Sequence, residues 1–235
     1  MTIPISARTA LLSMAASSLL MACGAGTTAL PAKYEVTLTN LTAAQPMSPL
    51  VAIAHGSGFS LFNLGQAASV ELEHLGEGGE TTPLLTLATA SASYMSSAVG
   101  STAVSPGASS MVTLTVEQDN IASAKLSLAS MLVNTNDAIT AVNAESLSGL
   151  AVGVPVSMDL LSYDIGTEAN TETAAAIPGP AGGGTGFNAA RDDVRNAVLL
   201  HPGVITANDG LTGSALTAVH RWDNPVARVK IMRIQ

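Results

Sequence analysis

Residues 34–39 (Tyr34-Glu35-Val36-Thr37-Leu38-Thr39) alternate apolar and polar side chains, the period of a strand with one face buried and one face wet. Met111–Val116 repeats the pattern, with Val112, Leu114 and Val116 on one side. Ala227–Ile234 repeats it again, setting Arg228, Lys230 and Arg233 among Val229, Ile231 and Ile234. The alternation breaks at Met232, which predicts a bulge. Leu50–Ala54 is a short apolar run, read as a strand. Lys125–Val133 and Val154–Tyr163 are longer apolar runs with Ser interleaved, also read as strands, and Val194–Leu200 completes the set. Gln66–Leu75 has weak helical spacing and stops at Gly76-Glu77-Gly78-Gly79, a short surface helix at best. Ile177–Asn188 (IPGPAGGGTGFN) has no period and reads as a loop. About eight strands with turns between them predict an all-β fold, an antiparallel sandwich.

Composition sharpens this. Aromatics are 3% of 235 residues, so the core must come from Val, Leu, Ile, Ala and Met. The charged fraction is 11% against 47% hydrophobic, the balance of a folded chain rather than a disordered one. A net charge of −8 argues against a nucleic-acid partner and against electrostatic docking on anionic lipid.

The first residues read as a targeting segment. Arg8 gives a positive start, and Thr9–Leu20 (TALLSMAASSLL) is an apolar run too short to span a bilayer comfortably. Leu20-Met21-Ala22-Cys23 resembles a bacterial lipobox, with Met in place of the usual small residue two positions before Cys23. The expected organisation is a signal peptide over 1–22, a small-residue linker over 23–32 and one β-sandwich domain over 33–235. Cys23 is then lipidated, and the exported chain is an outer-membrane lipoprotein facing the periplasm or the cell surface, held to the membrane through that anchor only. The alternative is an ordinary secreted protein with a bystander Cys. Cys23 is the single cysteine, so no intramolecular disulfide forms.

Charge patterning carries the candidate chemistry. No Lys or Arg lies between Lys125 and Arg191, yet the stretch holds six carboxylates: Asp137, Glu145, Asp159, Asp164, Glu168 and Glu172. Carboxylates gathered by folding repel one another, and water, a distant Arg or a bound cation can relieve them. The cation is favoured, and calcium in particular, because it takes six to eight oxygen ligands in flexible geometry. In Asp164-Ile165-Gly166-Thr167-Glu168 the glycine permits the sharp turn that lets both acids converge. Asp137 lies in a second Asx-rich turn, Asn134-Thr135-Asn136-Asp137. If the flanking strands are neighbours, all three acids face one point.

Met131–Ala138, Tyr163–Glu172, Leu50–Gly65, His201-Pro202-Gly203-Val204 and His220–Arg228 together resemble the bacterial members of the spondin N-domain family. The resemblance runs over roughly Lys33–Gln235. It implies a C2-like antiparallel β-sandwich that binds Ca2+ at one end, and its motif carries the metal-ligand role onto Asp137, Asp164 and Glu168. Animal relatives have an aromatic after the first Asp and carry cysteines; here the residue is Ala138 and the cysteines are missing, so their adhesion roles transfer poorly.

Other chemistry is thin. His55, His74, His201 and His220 show no metal-ligand spacing and read as structural groups. Gly56-Ser57-Gly58 is not a nucleophile elbow. Gly182-Gly183-Gly184-Thr185-Gly186 lacks the Lys of a phosphate loop. Arg191, Asp192, Asp193 and Arg195 suggest exposed local pairs of little worth. The expectation is a non-enzymatic cell-envelope protein with a structural calcium. A calcium-bridged interaction module for an unknown envelope or extracellular partner (protein, glycan or lipid) is the rival, and a metal-assisted hydrolase is weaker.

Overall fold

Strand β1 (Ala32–Asn40) buries every second residue, as its alternation requires. It pairs antiparallel with β4 (Ser109–Val116) on one side and β10 (Ala227–Arg233) on the other. β7 (Pro155–Leu160) pairs with β10 and completes a four-stranded sheet in the order β4-β1-β10-β7. The register of β10 runs without a shift past Met232 on both sides, so the expected bulge is not there. Met232 simply takes the outward position opposite Glu35 and Pro155.

The computed structural model describes residues 30–235. The signal segment over 1–22 and Cys23 lie outside the described residues.

A second antiparallel sheet has six strands, in the order β3 (Tyr94–Val99), β2 (Val51–His55), β5 (Lys125–Met131), β6 (Ala138–Ser146), β8 (Ser162–Asp164), β9 (Leu199–Leu200). One core lies between the sheets: Tyr34, Val36 and Leu38 of β1 and Leu114 of β4 meet Leu126 and Leu128 of β5. A second core lies on the other side of the six-stranded sheet. There Ile53, Ala129 and Ile139 pack under helices α1 (Val70–Gly78) and α2 (Thr82–Ala90), with Leu72, Leu75 and Leu84. The middle of this sheet is therefore covered on both faces. All five residues of β2 are buried, and such strands read as apolar runs rather than alternations.

α1 starts at Ser69, whose hydroxyl accepts from the Leu72 amide at 3.2 Å, a standard N-cap. It ends at Gly79, whose φ of 68° places it in the left-handed region favoured after a helix. Gly76 brings α1 against the acidic loops. A Cβ there would stand 2.3 Å from Ile165 Cδ1 and 3.3 Å from the Asp137 carbonyl oxygen, so a larger residue would have to push the Ile165 side chain aside to keep this approach.

Among the described residues ten strands form where about eight were expected, and two helices pack on the sheet. Val194–Leu200 contributes only Leu199–Leu200, and Val154–Tyr163 is split into β7 and β8, one in each sheet. Leu128 is fully buried in the inter-sheet core and Val194 is 100% exposed. Leu128→Ala should cost about 2–5 kcal/mol in urea denaturation, whereas Val194→Ala should change stability by no more than about 0.5 kcal/mol.

Candidate metal centre

β6 and β8 are neighbours, and Ala138 stands opposite Asp164. That register brings the turn before β6 and the turn after β8 to one end of the sheet, the condition on which their meeting depended. Thr135 ties the first turn: its hydroxyl donates to the Leu132 carbonyl at 2.6 Å and accepts from the Ala138 amide at 3.0 Å. The second turn depends on Gly166, whose φ is +72°. A Cβ at Gly166 would lie 2.5 Å from the Ala197 carbonyl oxygen, so both conformation and packing exclude other residues.

Asp137 is fully buried. Its Oδ2 accepts from the Thr167 amide at 2.7 Å, the Glu168 amide at 3.1 Å and the Thr167 hydroxyl at 3.3 Å. Its Oδ1 is buried with no partner. Burial, helped by the charge of Asp164, pushes the Asp137 carboxyl up to about 7, against the pull of the Thr167 and Glu168 donors. Glu168 is half-buried. Burial first, then the charges of Glu77, Asp137 and Asp192, push it up to about 8.

Asp164 has a different environment. Its Oδ1 accepts from the Gly166 amide at 2.9 Å, and its Oδ2 accepts from the Asn170 side-chain amide at 2.8 Å and from Arg195 Nη2 at 2.7 Å. Arg195 also grips Asp193, with Nη2 at 2.6 Å from its Oδ2, and holds the Asp193 carboxyl below the usual range. A distant arginine thus relieves one of the three acids. Among the described residues no salt bridge reaches Asp137, Glu168 or Glu77. Nor do any three His, Cys, Asp or Glu side chains among them stand in metal-holding geometry.

Two further acids belong to this end. Glu77, on α1, is buried; its Oε2 accepts from the Asn188 amide at 2.8 Å and its Oε1 has no partner. Burial raises its carboxyl, and Glu77 in turn raises Glu168. Glu172 is buried, has a φ of +56° and accepts from the Ile205 amide at 3.2 Å. Burial, with Asp164 nearby, pushes it up to about 7. Sequence reasoning missed Glu77, because nothing local to α1 points to a turn 60 residues away in the chain. The one available signal was Glu73 and Glu77 four apart beside Leu72 and Leu75, acids on the packed face of a helix. Arg191 reaches Glu73 Oε2 at 2.6 Å, while Glu73 Oε1 is left without a partner, so the ion pair of Arg191 is long-range instead of local.

The donor set fits a hard divalent cation: carboxylate and amide oxygens, two carboxylate oxygens and Asn170 Oδ1 left without hydrogen-bond partners, and no soft ligand. Asp137, Glu168 and Glu77 are the acids at this end that no salt bridge reaches, though no three of them converge as a formed metal site.

The histidines act structurally. His55 Nδ1 is 2.7 Å from the Gly56 carbonyl, and its Nε2 is 2.7 Å from Ser127 Oγ. His74 stacks on Phe187 with ring centres 3.5 Å apart. His201 Nδ1 accepts from the Gly203 amide at 3.0 Å, and burial pushes its ring down to about 4. His220 Nδ1 accepts from the Thr217 amide at 3.0 Å. Trp222 is partly buried against the inter-sheet core and donates to Ser162 Oγ at 3.0 Å.

Two antiparallel sheets with an acidic loop end define an all-β, sandwich-like domain. More particularly, the chain belongs to the spondin N-terminal domain family: the family model, Spondin_N, matches residues 29–178. Among curated proteins no relative matches the chain.

The raised acids set a pH dependence. A carboxyl whose folded-state pKa lies above its unfolded value contributes stability at low pH and loses it as pH rises through the folded value. Asp137, Glu172 and Glu168 lose theirs up to about pH 7 to 8. His55 and His201, both lowered by burial, act the other way around and below the ordinary histidine value of about 6.5. Between about pH 7 and 8 the raised acids dominate. In EDTA the chain should lose about 1 kcal/mol or more of stability per pH unit across that window, read by denaturant titration at each pH. Constant or rising stability there would contradict this electrostatic account.

Proposed function

We propose that the chain is a non-enzymatic interaction module of the cell exterior in which a calcium ion, bound at the acidic end, joins the turn before β6 to the turn after β8. Membership of the spondin N-terminal domain family supports the extracellular, non-enzymatic reading. The two antiparallel sheets support a C2-like sandwich. The lipid anchor at Cys23, and with it an outer-membrane location, rests on the lipobox-like run Leu20–Cys23.

One observation carries the metal reading. Asp137 Oδ2 collects three donors while its Oδ1, equally buried, has none. An unpaired carboxylate oxygen in a dry site costs several kcal/mol unless it is protonated or coordinated. Protonation fits acid conditions. Calcium fits the neutral, calcium-rich exterior. It would neutralise Asp137 and Glu168 and draw on Glu77, whose Oε1 is also unpartnered. Calcium is preferred to magnesium because backbone-tethered carboxylates on two turns suit its flexible coordination, whereas magnesium demands a near-ideal octahedron.

A catalytic reading has no comparable support. The nearest thing to a nucleophile and base is Ser127 Oγ with His55 Nε2, and both residues are fully buried. The Ala144 amide also donates to Ser127 Oγ at 3.0 Å, across an irregular stretch of the β5–β6 pairing. This pair closes a bulge and meets no open surface.

Calcium at a hundredfold over its dissociation constant should stabilise the chain by about 2.7 kcal/mol. Melting curves in calcium and in EDTA measure this, and superimposable curves would overturn the calcium reading. Asp137→Asn keeps the shape of the side chain but removes its charge, and should abolish most of the calcium-dependent shift.

A further inference from the structure

The end of the molecule opposite the acidic loops has a different surface. β1 runs between the two ends. The side chain of Asn40, its last residue, donates to the Gln45 carbonyl at 2.7 Å, and Gln45 Nε2 donates at 3.3 Å to the Asn134 carbonyl in the turn before β6. Nine residues of strand put Ala32 about 26 Å from Asn40. Around Ala32 the far end is held by backbone bonds. The Lys33 amide donates to the Gln235 carbonyl at 3.3 Å, the Ile234 amide to the Lys33 carbonyl at 2.8 Å, and the Gly153 amide to the Arg233 carbonyl at 2.8 Å. Charges of both signs lie here, Lys33 and Arg233 beside Glu117 and Asp119.

The most exposed side chains at this end are apolar: Leu30 is 71% exposed, Val152 58% and Val154 55%, with Ile234 beside them. Val152 and Val154 flank Gly153, whose φ is +78°, in a turn closed by the Val154 amide donating to the Ala151 carbonyl at 3.2 Å. Turn tips are ordinarily polar, yet no charged residue lies between Glu145 and Asp159. Val152 bridges to Arg233, next to Ile234, and the turn leads into β7, the edge strand of its sheet. These four side chains therefore share one wet, apolar end, the kind of surface that marks an interaction site.

We propose, resting on the reading of Cys23 as a lipid anchor, that this end docks on the bilayer holding that anchor, with Leu30, Val152, Val154 and Ile234 seated at the headgroup boundary and the acidic end pointing away. Chain length selects this occupant. Leu30 lies seven residues after Cys23, a reach of at most about 25 Å. The end that carries the apolar side chains is thus the end that the anchor keeps beside the membrane. A tethered surface meets its target at an effective concentration in the millimolar range, so a weak contact suffices to hold it down. Aliphatic side chains at the surface of a domain seat about 5–10 Å into the headgroup and acyl boundary. The contact is apolar, so it does not need the basic surface that a chain of net charge −8 lacks. Anionic headgroups repel the acidic loops, which favours the same orientation.

Cys23 is the single cysteine, and once acylated it has no free thiol, so an introduced cysteine takes a fluorescent label alone. The full chain is purified from membranes, its acyl groups are read by intact mass, and it is reconstituted into phosphatidylethanolamine–phosphatidylglycerol vesicles with or without brominated acyl chains. An NBD label on Val154→Cys should be quenched about twofold or more by the brominated lipid. The same label on Val194→Cys, fully exposed on the turn that carries Arg195 to Asp164, should be quenched by no more than about a tenth. Adding Leu30→Asp and Val152→Asp, both at exposed positions, should release most of the quenching at 154 while near-UV dichroism stays that of the wild type. An acylated chain with no quenching at 154 would overturn the docking and leave the anchor standing. Equal quenching at 154 and 194, or quenching that the two aspartates leave unchanged, would also overturn it. A blue shift at 154 without bromine quenching would show a second copy covering this face in place of the bilayer. A chain without acyl mass would remove the anchor and the docking together.

Discussion

Asp137 is the group on which the rest of this structure depends. Its carboxylate is wholly buried, and one oxygen binds the backbone amides of Thr167 and Glu168 from the other turn. Those bonds tie the second turn to the first in addition to the short β6–β8 ladder of three residue pairs. The geometry needs an acceptor able to take two amides at once, which a carboxylate does better than a neutral side chain. The cost is the second oxygen, left dry and unpaired. Every acid around it adds to that cost: Asp164 raises Asp137, and Asp137 and Glu77 raise Glu168. The fold thus builds a site whose own charges oppose it, a condition that protonation or a positive neighbour resolves.

That charge comes in part from one late segment. Arg191 neutralises Glu73 of α1, and Arg195 neutralises Asp164 and Asp193. Both lie beyond residue 178, where the match to the family ends. The same region supplies β10, which sits between β1 and β7 in the middle of the four-stranded sheet. The matched region is therefore not structurally closed. Its first strand needs the last strand of the chain as a partner, and its acidic loops need arginines from the segment that follows.

What the sequence displayed and what it hid follow one physical rule. β1, β4 and β10 form a sheet with one wet face, and their alternation was visible. β5 and β2 are covered on both faces and read only as apolar runs. β6 was missed, because Ala138-Ile139-Thr140-Ala141-Val142 is uniformly buried and offers no period. α2 was missed for a related reason. Thr82–Ala90 is mostly apolar and only Leu84 and Ala88 are buried, too little to imprint a helical stripe. At the site, the meeting of the Asp137 turn with the Asp164–Glu168 turn was legible because Gly166 and the Asx-rich turn mark local geometry. Glu77 and Arg195 were not, because their roles arise only when α1 and the 191–198 turn are packed against those loops. Position along the chain carries no trace of that.

The arrangement also explains why α1 must be where it is. Its buried Glu77 would be a liability on a helix that merely covered a hydrophobic sheet. Gly76 next to it permits contact with Ile165 and the Asp137 carbonyl, so the helix is drawn down onto the loop end and not only onto the core. Leu72 and Leu75 alone would be satisfied by any apolar surface; glycine and glutamate at 76 and 77 are specific to this one. Phe187 stacked on His74, and Asn188 donating to Glu77, then close the glycine-rich loop over the helix. Helix, loop and turns are joined through polar groups that each lack something. The same electrostatic deficit that raises the buried carboxyls therefore also positions the elements around them.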